Sequence, residues 1–204
     1  MSEGRKEAEL VLMRAAVQES NINLPNVLTL VRILLIPVFI VLMMVPDPER
    51  SLSAAVIFVV AAMTDLLDGY VARKTGQITK LGRLMDPIAD KLLVLSALIL
   101  LVQLDRVTAL VAILIIAREV AVTGIRAIAA TEGMIISAEV TGKYKMALQV
   151  IAIVLLILEG TVVNDIGNVH LAGIVTLYLS IVLGYVSGTQ YVVNFWRQVT
   201  AKGL

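Results

Sequence analysis

Six long apolar runs restrict this chain more than any other feature of its sequence. They cover about residues 26–45, 51–72, 84–103, 107–130, 143–159 and 169–195. A helix needs about 20 mostly apolar residues to cross the hydrocarbon core of a bilayer, and each run is close to that length. The runs therefore predict an all-α integral membrane protein with six transmembrane helices.

The amino-acid composition supports the same class. Of the 204 residues, 59% are hydrophobic and 16% are charged, whereas a soluble domain has roughly 45–50% and about 25%. The chain contains no cysteine. This excludes disulfides, thiolate metal sites and a cysteine nucleophile.

Basic residues lie mostly on one side of the expected membrane. The breaks after the first, third and fifth runs contain only Arg50 and Arg106 as basic residues. By the positive-inside rule the other side faces the cytoplasm, and both termini lie there. That side carries Arg5, Lys6, Arg14, Arg73, Lys74, Lys80, Arg83, Lys143, Lys145, Arg197 and Lys202.

Residues 1–22 differ in character from the rest of the chain. Their charged and apolar residues are mixed, which does not fit a cleavable signal peptide. The pattern favours an interfacial amphipathic helix that places Leu10, Val11 and Met13 against lipid, with a solvated leader helix as the alternative. Residues 23–204 are then the six-helix membrane domain.

Four aspartates stand at the edges of the second and third runs. Asp65 and Asp68 are three residues apart, and Asp86 and Asp90 are four apart, so on helices each pair shares one face. An acid in the membrane costs roughly 2.5–3.5 kcal/mol, and neighbouring carboxylates repel each other. Two divalent cations would compensate four carboxylates, and all-oxygen ligands suit Mg²⁺, Mn²⁺ or Ca²⁺.

Two other interpretations of these acids stay open on the residues alone. The acids could pair with nearby cations in a salt-bridge network, or they could form the site of a divalent metal-ion transporter. Against a transporter, the outer halves of the runs, such as "SAAVIFVVAA" and "LLVLSALILLVQL", are almost wholly apolar. The cations available for pairing are Arg73, Lys80, Arg83 and Lys91.

The acids belong to a longer pattern of eight positions within 26 residues. It comprises Asp65, Asp68, Gly69, Ala72, Arg73, Gly82, Asp86 and Asp90. This pattern resembles the signature of the CDP-alcohol phosphotransferase family, whose members transfer a phosphatidyl-type group from a CDP-linked donor to an alcohol. The stretches "LPNVLTLVRILLIPVFI", "AREVAVTGIRAIAA" and "TGKYKMALQVIAI" are similar to the bacterial phosphatidylglycerophosphate synthases of that family.

The resemblance implies roles for the motif residues. The four aspartates would hold two Mg²⁺ or Mn²⁺ ions, and Asp90, expected after a turn at Pro87, would also be the catalytic general base. CDP-diacylglycerol would be bound by Asn26, Thr29, Arg32, Asp65, Asp68, Gly69, Ala72, Arg73 and Gly82. Helix capping is the alternative for Asn26 and Thr29, which follow Pro25 closely in the sequence.

Four basic residues in the fourth and fifth runs indicate which kind of alcohol accepts the phosphatidyl group. Arg118 and Arg126 lie two turns apart, and Lys143 and Lys145 open the fifth run. So much positive charge favours a phosphorylated alcohol such as glycerol 3-phosphate. A phosphatidylinositol-phosphate synthase or a cardiolipin synthase of the same family is the alternative. Arg118 could instead pair with Glu119, and the lysines could only mark the cytoplasmic interface.

The remaining expectations concern partners and location. The resemblance implies a multi-pass protein of the bacterial inner membrane, with its active site facing the cytoplasm and the lipid bilayer as a partner. It also implies a homodimer, and no nucleic-acid partner is expected. Gly184 and Gly188 form a small-residue face that could pack against a helix or a second subunit.

Overall fold

The protein is all-helical wherever the structure describes it. The computed structural model describes residues 24–45, 47–75, 80–132, 140–161 and 168–202, with side chains except at 24–26, 65–75, 80–87, 90, 140 and 201–202. These ranges contain no strand. Their six helices are α1 (Leu24–Met44), α2 (Pro48–Thr75), α3 (Lys80–Gln103), α4 (Ala109–Thr131), α5 (Val140–Ile157) and α6 (Val169–Lys202).

Each of the six apolar runs corresponds to one helix, so the all-helical prediction is confirmed. The last helix continues seven residues past the end expected at 195, because no glycine or proline stops it before Gly203. The turn expected at Pro87 is wrong, since Pro87 lies inside α3. A proline removes one backbone hydrogen bond from a helix, and α3 continues across it. The amphipathic helix expected over 1–22 lies outside the described residues.

Two of the described helices are long and apolar enough to cross a membrane. Their apolar segments are Val27–Met44 in α1 and Val169–Thr200 in α6. A shorter apolar stretch, Lys91–Gln103, lies in α3. Length and composition therefore qualify helices near both ends of the described chain as membrane spans.

The helices also present large apolar side chains on their outer faces. Leu34 and Val41 on α1 and Leu110 on α4 are each more than 60% exposed. Many other branched side chains are similarly exposed, whereas a soluble monomer rarely shows large continuous apolar patches. This surface suits contact with lipid.

The chain divides into two compact units. The first comprises Met1–Val41 and Val56–Ser96, and the second comprises Leu42–Ala55 and Ala97–Leu204. In the first unit the rings of Phe39 and Phe58 are fully buried, and their centroids lie 5.7 Å apart. This contact packs α1 against α2.

The second unit is organised around α6, which packs against α5 along its length and against α4. α5 and α6 approach each other closely at Gly173. A Cβ atom there would lie 2.8 Å from Cγ of Leu156, which is fully buried. Carbon atoms normally stay about 3.5–4.0 Å apart, so this position requires glycine unless its neighbours move.

Arg106 in the loop between α3 and α4 ties the end of α5 to its surroundings. Its Nη1 donates to the carbonyl oxygens of Leu156 and Ile157, each at 3.0 Å. These carbonyls belong to the last turn of α5, where a cation is favourable. Its Nε lies 3.7 Å from Glu159, whose carboxylate is 2.9 Å from Nδ1 of His170. Burial lowers the pKa of Arg106 from its ordinary value, and the charge of Glu159 opposes that shift.

Candidate active site

The aspartate motif lies on two helices, as its spacing predicted. Asp65 and Asp68 lie in the last three turns of α2, and Asp86 and Asp90 lie in the first three turns of α3. Helical backbone at these positions places the members of each pair about one turn apart on the same face. The side chains of these aspartates are outside the described part of the structure.

The metal site therefore stays a prediction that rests on its donor set. Four carboxylates offer only oxygen ligands, which fits Mg²⁺ or Mn²⁺ better than a softer metal. Among the side chains that the structure describes, no three histidine or acidic groups form a cluster that could hold a metal. The other motif positions, Gly69, Ala72, Arg73 and Gly82, also have helical backbone and lie outside the described side chains.

The three donor-binding residues expected near the start of the membrane domain, Asn26, Thr29 and Arg32, all belong to α1. Arg32 is 0% exposed and Thr29 is 1% exposed. Since α1 begins at Leu24, Thr29 lies in its second turn, past the N-cap position, so capping does not explain it. Asn26 belongs to the first turn, and its side chain is not described. Burying a guanidinium costs several kcal/mol unless charges or hydrogen bonds compensate it.

Arg118 in α4 makes a precise set of contacts within the second unit. Its Nε donates to the carbonyl oxygen of Gly184 at 2.8 Å, and its Nη2 donates to Oγ of Ser187 at 2.7 Å. Its Nη1 donates to Oε1 of Glu119 at 2.9 Å. The Arg118 side chain is 11% exposed, so three different directions fix a nearly buried guanidinium.

Glu119 joins Arg118 to Lys145 of α5. Both cations contact the same carboxylate oxygen, Oε1, and the lysine is also 11% exposed. The carboxylate of Glu119 therefore lies between two positive charges. Guanidinium and ammonium N–H groups are of the kind that binds phosphate oxygens.

Two of the glycines of α6, Gly184 and Gly188, lie against the Arg118 side chain. A Cβ atom at Gly188 would lie 3.4 Å from the Nε of Arg118, and one at Gly184 would lie 3.5 Å from Lys145. The small-residue face of α6 thus packs against α4 and α5 of the same chain.

The other two expected phosphate ligands lie apart from this cluster. Arg126, eight residues further along α4, places its guanidinium carbon 5.3 Å from the centre of the Tyr191 ring. Lys143 is exposed. Of the four cations, the described structure brings together Arg118 and Lys145.

A small cavity of about 10 Å³ borders the cluster, lined in part by Gln149, Ser180 and Tyr185. Such a volume admits about one water molecule, so a phosphorylated three-carbon alcohol does not fit inside it. Any acceptor would have to meet the cluster from beside the cavity or after side chains move.

Glu119 and Ser187 are members of this cluster that the sequence did not assign to the site. Glu119 was considered only as an alternative partner of Arg118. An acid within an apolar run by itself indicates a functional residue, so the sequence could have assigned Glu119 to the site. Ser187 carried no such signal, because its contact with Arg118 joins residues 69 positions apart.

Comparison with known proteins decides the family. A family model described as CDP-alcohol phosphatidyltransferase matches residues 22–186. The match includes all six helices at least in part and the whole aspartate motif. The chain belongs to the CDP-alcohol phosphatidyltransferase family.

Curated members of this family cover most of the chain. It is 39% identical to the CDP-diacylglycerol–glycerol-3-phosphate 3-phosphatidyltransferase of Bacillus subtilis strain 168, in an alignment of 187 residues that covers 86% of this chain and 96% of that protein. It is 37% identical to the enzyme of the same name from Rickettsia bellii, over 83% of this chain and 93% of that protein. A probable phosphatidylglycerophosphate synthase of Mycobacterium tuberculosis is also 37% identical, over 87% of this chain and 83% of that protein.

Proposed function

We propose that this protein transfers the phosphatidyl group of CDP-diacylglycerol to glycerol 3-phosphate, giving phosphatidylglycerol phosphate and CMP. The observation that carries this proposal is the likeness over most of the chain to relatives named for that reaction. The eight-position motif on α2 and α3 and the cation cluster on α4 and α5 supply chemistry that the reaction needs.

The four aspartates are proposed to hold two divalent cations, Mg²⁺ or Mn²⁺. When bound, such ions neutralise a diphosphate and stabilise the charge on the departing CMP. Asp90 accepts the proton of the acceptor hydroxyl as the oxygen of that hydroxyl attacks the β-phosphorus of CDP-diacylglycerol. The bond between that phosphorus and the bridging oxygen breaks, and the oxygen leaves with CMP.

The donor site is proposed to lie on α1, α2 and α3. Arg73 would contact the diphosphate, and Gly69, Ala72 and Gly82 would let the nucleotide approach the helices. Arg32 and Thr29 are buried on α1, where they would complete the wall of this site with Asn26. Asp65 and Asp68 would contact the nucleotide as well as metal.

The acceptor phosphate is proposed to bind Arg118 and Lys145. Glu119 and the α6 contacts hold both cations in place, so the phosphate meets donors that are already oriented. Arg126 and Lys143 would contribute positive charge nearby. Arginine and lysine supply charge-assisted hydrogen bonds to phosphate oxygens, which favours a phosphorylated acceptor over a neutral or zwitterionic alcohol.

The membrane arrangement completes the proposal. Six spans place both termini and the site at the cytoplasmic face of the bacterial inner membrane, with 23–204 as the membrane domain and 1–22 lying at its interface. The distribution of basic residues supports this orientation. The working unit is proposed to be a homodimer.

CMP release from purified protein tests the reaction. The protein is mixed with CDP-diacylglycerol, Mg²⁺ or Mn²⁺ and one of a panel of alcohols, and we expect turnover with glycerol 3-phosphate. Turnover restricted to inositol phosphate or to phosphatidylglycerol would move the protein to another activity of the family. An absence of CMP with every acceptor would refute the enzymatic proposal.

Asp90→Asn tests the proposed base. General-base catalysis contributes roughly 10²- to 10⁴-fold, so kcat should fall by about that factor while the protein stays folded. Asp105→Asn is the matched control, because Asp105 lies in an exposed loop with φ of 55°, a conformation that asparagine also adopts. Wild-type turnover by the Asp90 variant would exclude the assigned role.

A further inference from the structure

The last helix is longer than a membrane span requires. The 34 residues of α6 at about 1.5 Å each make it about 51 Å long, whereas the hydrocarbon core is about 30 Å thick. If α6 crosses the bilayer as proposed above, a span that begins at Val169 leaves the core about 20 residues later. The final turns then lie past the core, from the depth of the lipid headgroups outward.

The lysine and arginine residues of α6 are confined to its C-terminal end. The helix contains no aspartate or glutamate, and its lysine and arginine residues, Arg197 and Lys202, both lie in its last six residues. Among the described residues, no hydrogen bond or ion pair involves Arg197. The end of α6 therefore presents positive charge without a carboxylate on the same helix to neutralise it.

An open groove lies beside this cation. It has a volume of about 540 Å³ and is lined by Val193, Trp196, Arg197 and Thr200. Trp196 is 61% exposed, and the edge of its ring meets Phe195 with centroids 6.2 Å apart. The Thr200 hydroxyl already donates to the Trp196 carbonyl at 3.0 Å, so the donors that remain for an anion among these four residues are the Arg197 guanidinium and the Trp196 indole N–H.

We propose that this groove binds the headgroup of an anionic glycerophospholipid from the surrounding bilayer. Val193 and Trp196 contact the glycerol and headgroup region of the lipid, and the Arg197 guanidinium contacts the phosphate. A tryptophan at the interface matches the amphipathic part of such a lipid, and a basic residue near the surface attracts anionic lipid. This site uses none of the residues assigned to catalysis.

The chain supplies its own probe, since Trp196 is the single tryptophan. The full-length protein is reconstituted into phosphatidylcholine vesicles that contain a small fraction of lipid brominated near the headgroup. Bromine quenches tryptophan emission on contact. We expect brominated phosphatidylglycerol to quench Trp196 about twofold to fivefold more than the same fraction of brominated phosphatidylcholine, because one cation enriches anionic lipid by about that factor.

Two variants assign the preference to the groove. Arg197→Gln should make the two brominated lipids quench equally. Arg50→Gln is the matched control and should keep the preference, because Arg50 is an exposed arginine on α2, paired with Asp47. Preference that survives in the Arg197 variant would overturn the assignment.

Other outcomes identify other occupants of the groove. Weak quenching by both lipids would show that protein covers it, either a second copy or another segment of this chain, and chemical cross-linking would distinguish these. Loss of the preference on adding inorganic phosphate would show a site for free anions. Either result would overturn a lipid site, and neither depends on turnover, so the catalytic proposal is tested separately.

Discussion

Replacing Arg118 with lysine tests whether the proposed acceptor site uses the shape of the guanidinium as well as its charge. The arginine donates in three directions, to Gly184, Glu119 and Ser187. A lysine keeps the positive charge, but its single ammonium cannot reach all three acceptors at once. It would keep about one of the three hydrogen bonds.

The size of the effect follows from those contacts. Losing two hydrogen bonds from a charged group costs about 3 kcal/mol, at about 1.5 kcal/mol each, because the group is nearly buried. If the whole cost appears as a misplaced acceptor phosphate, kcat/KM for glycerol 3-phosphate falls by roughly 100-fold. The KM for CDP-diacylglycerol should change little, since the donor is assigned to other helices.

The assay measures CMP release while each substrate is varied in turn. Arg50→Lys is the control for the same chemical change at an exposed position and should behave as wild type. Thermal unfolding shows whether the Arg118 variant is folded. A folded Arg118→Lys protein with kcat/KM within about threefold of wild type would refute the idea that a fixed guanidinium binds the phosphate.

Two further predictions concern the second unit. Glu119→Gln removes the carboxylate that Arg118 and Lys145 share and should lower the free energy of unfolding by about 1–3 kcal/mol. Glycerol 3-phosphate should restore part of that stability, because its phosphate supplies negative charge. Denaturant titration with and without glycerol 3-phosphate measures the loss and the recovery, and unchanged stability of the variant would contradict this prediction. Gly173→Ala forces a Cβ to within 2.9 Å of Leu156, so overpacking of about 1–3 kcal/mol should exceed the helix gain of up to about 1 kcal/mol. Gly124→Ala meets no described atom within 4 Å and should be neutral or stabilising in the same titration; equal behaviour of the two glycine variants would disprove the tight contact.

Much of the architecture follows from local sequence. Apolar runs of about twenty residues predicted six helices, and the structure describes one helix for each run. Turn residues between runs predicted the helix boundaries within a few residues except at the end of α6, because glycine, proline and short polar stretches act on their own neighbourhood. The error at Pro87 has the same origin, since a proline disfavours a helix locally but the surrounding turns of α3 continue through it.

The residues of the candidate site were also predicted only in part from the sequence. Sequence alone identified the aspartate motif and the family, because spacing along one helix fixes which side chains share a face. It also identified Arg118 and Lys145 as unusual cations. It did not identify Ser187 as their neighbour.

The sequence by itself determined that this is an all-helical chain of the CDP-alcohol phosphatidyltransferase family, with acids and cations at fixed positions along its helices. Only the tertiary structure decided that Arg118, Glu119 and Lys145 form one cluster and that Gly184 of α6 receives the guanidinium. The physical reason is that helix periodicity is set by neighbours three or four residues away. Contacts between helices depend instead on how whole faces pack, over separations such as the 66 residues between Arg118 and Gly184.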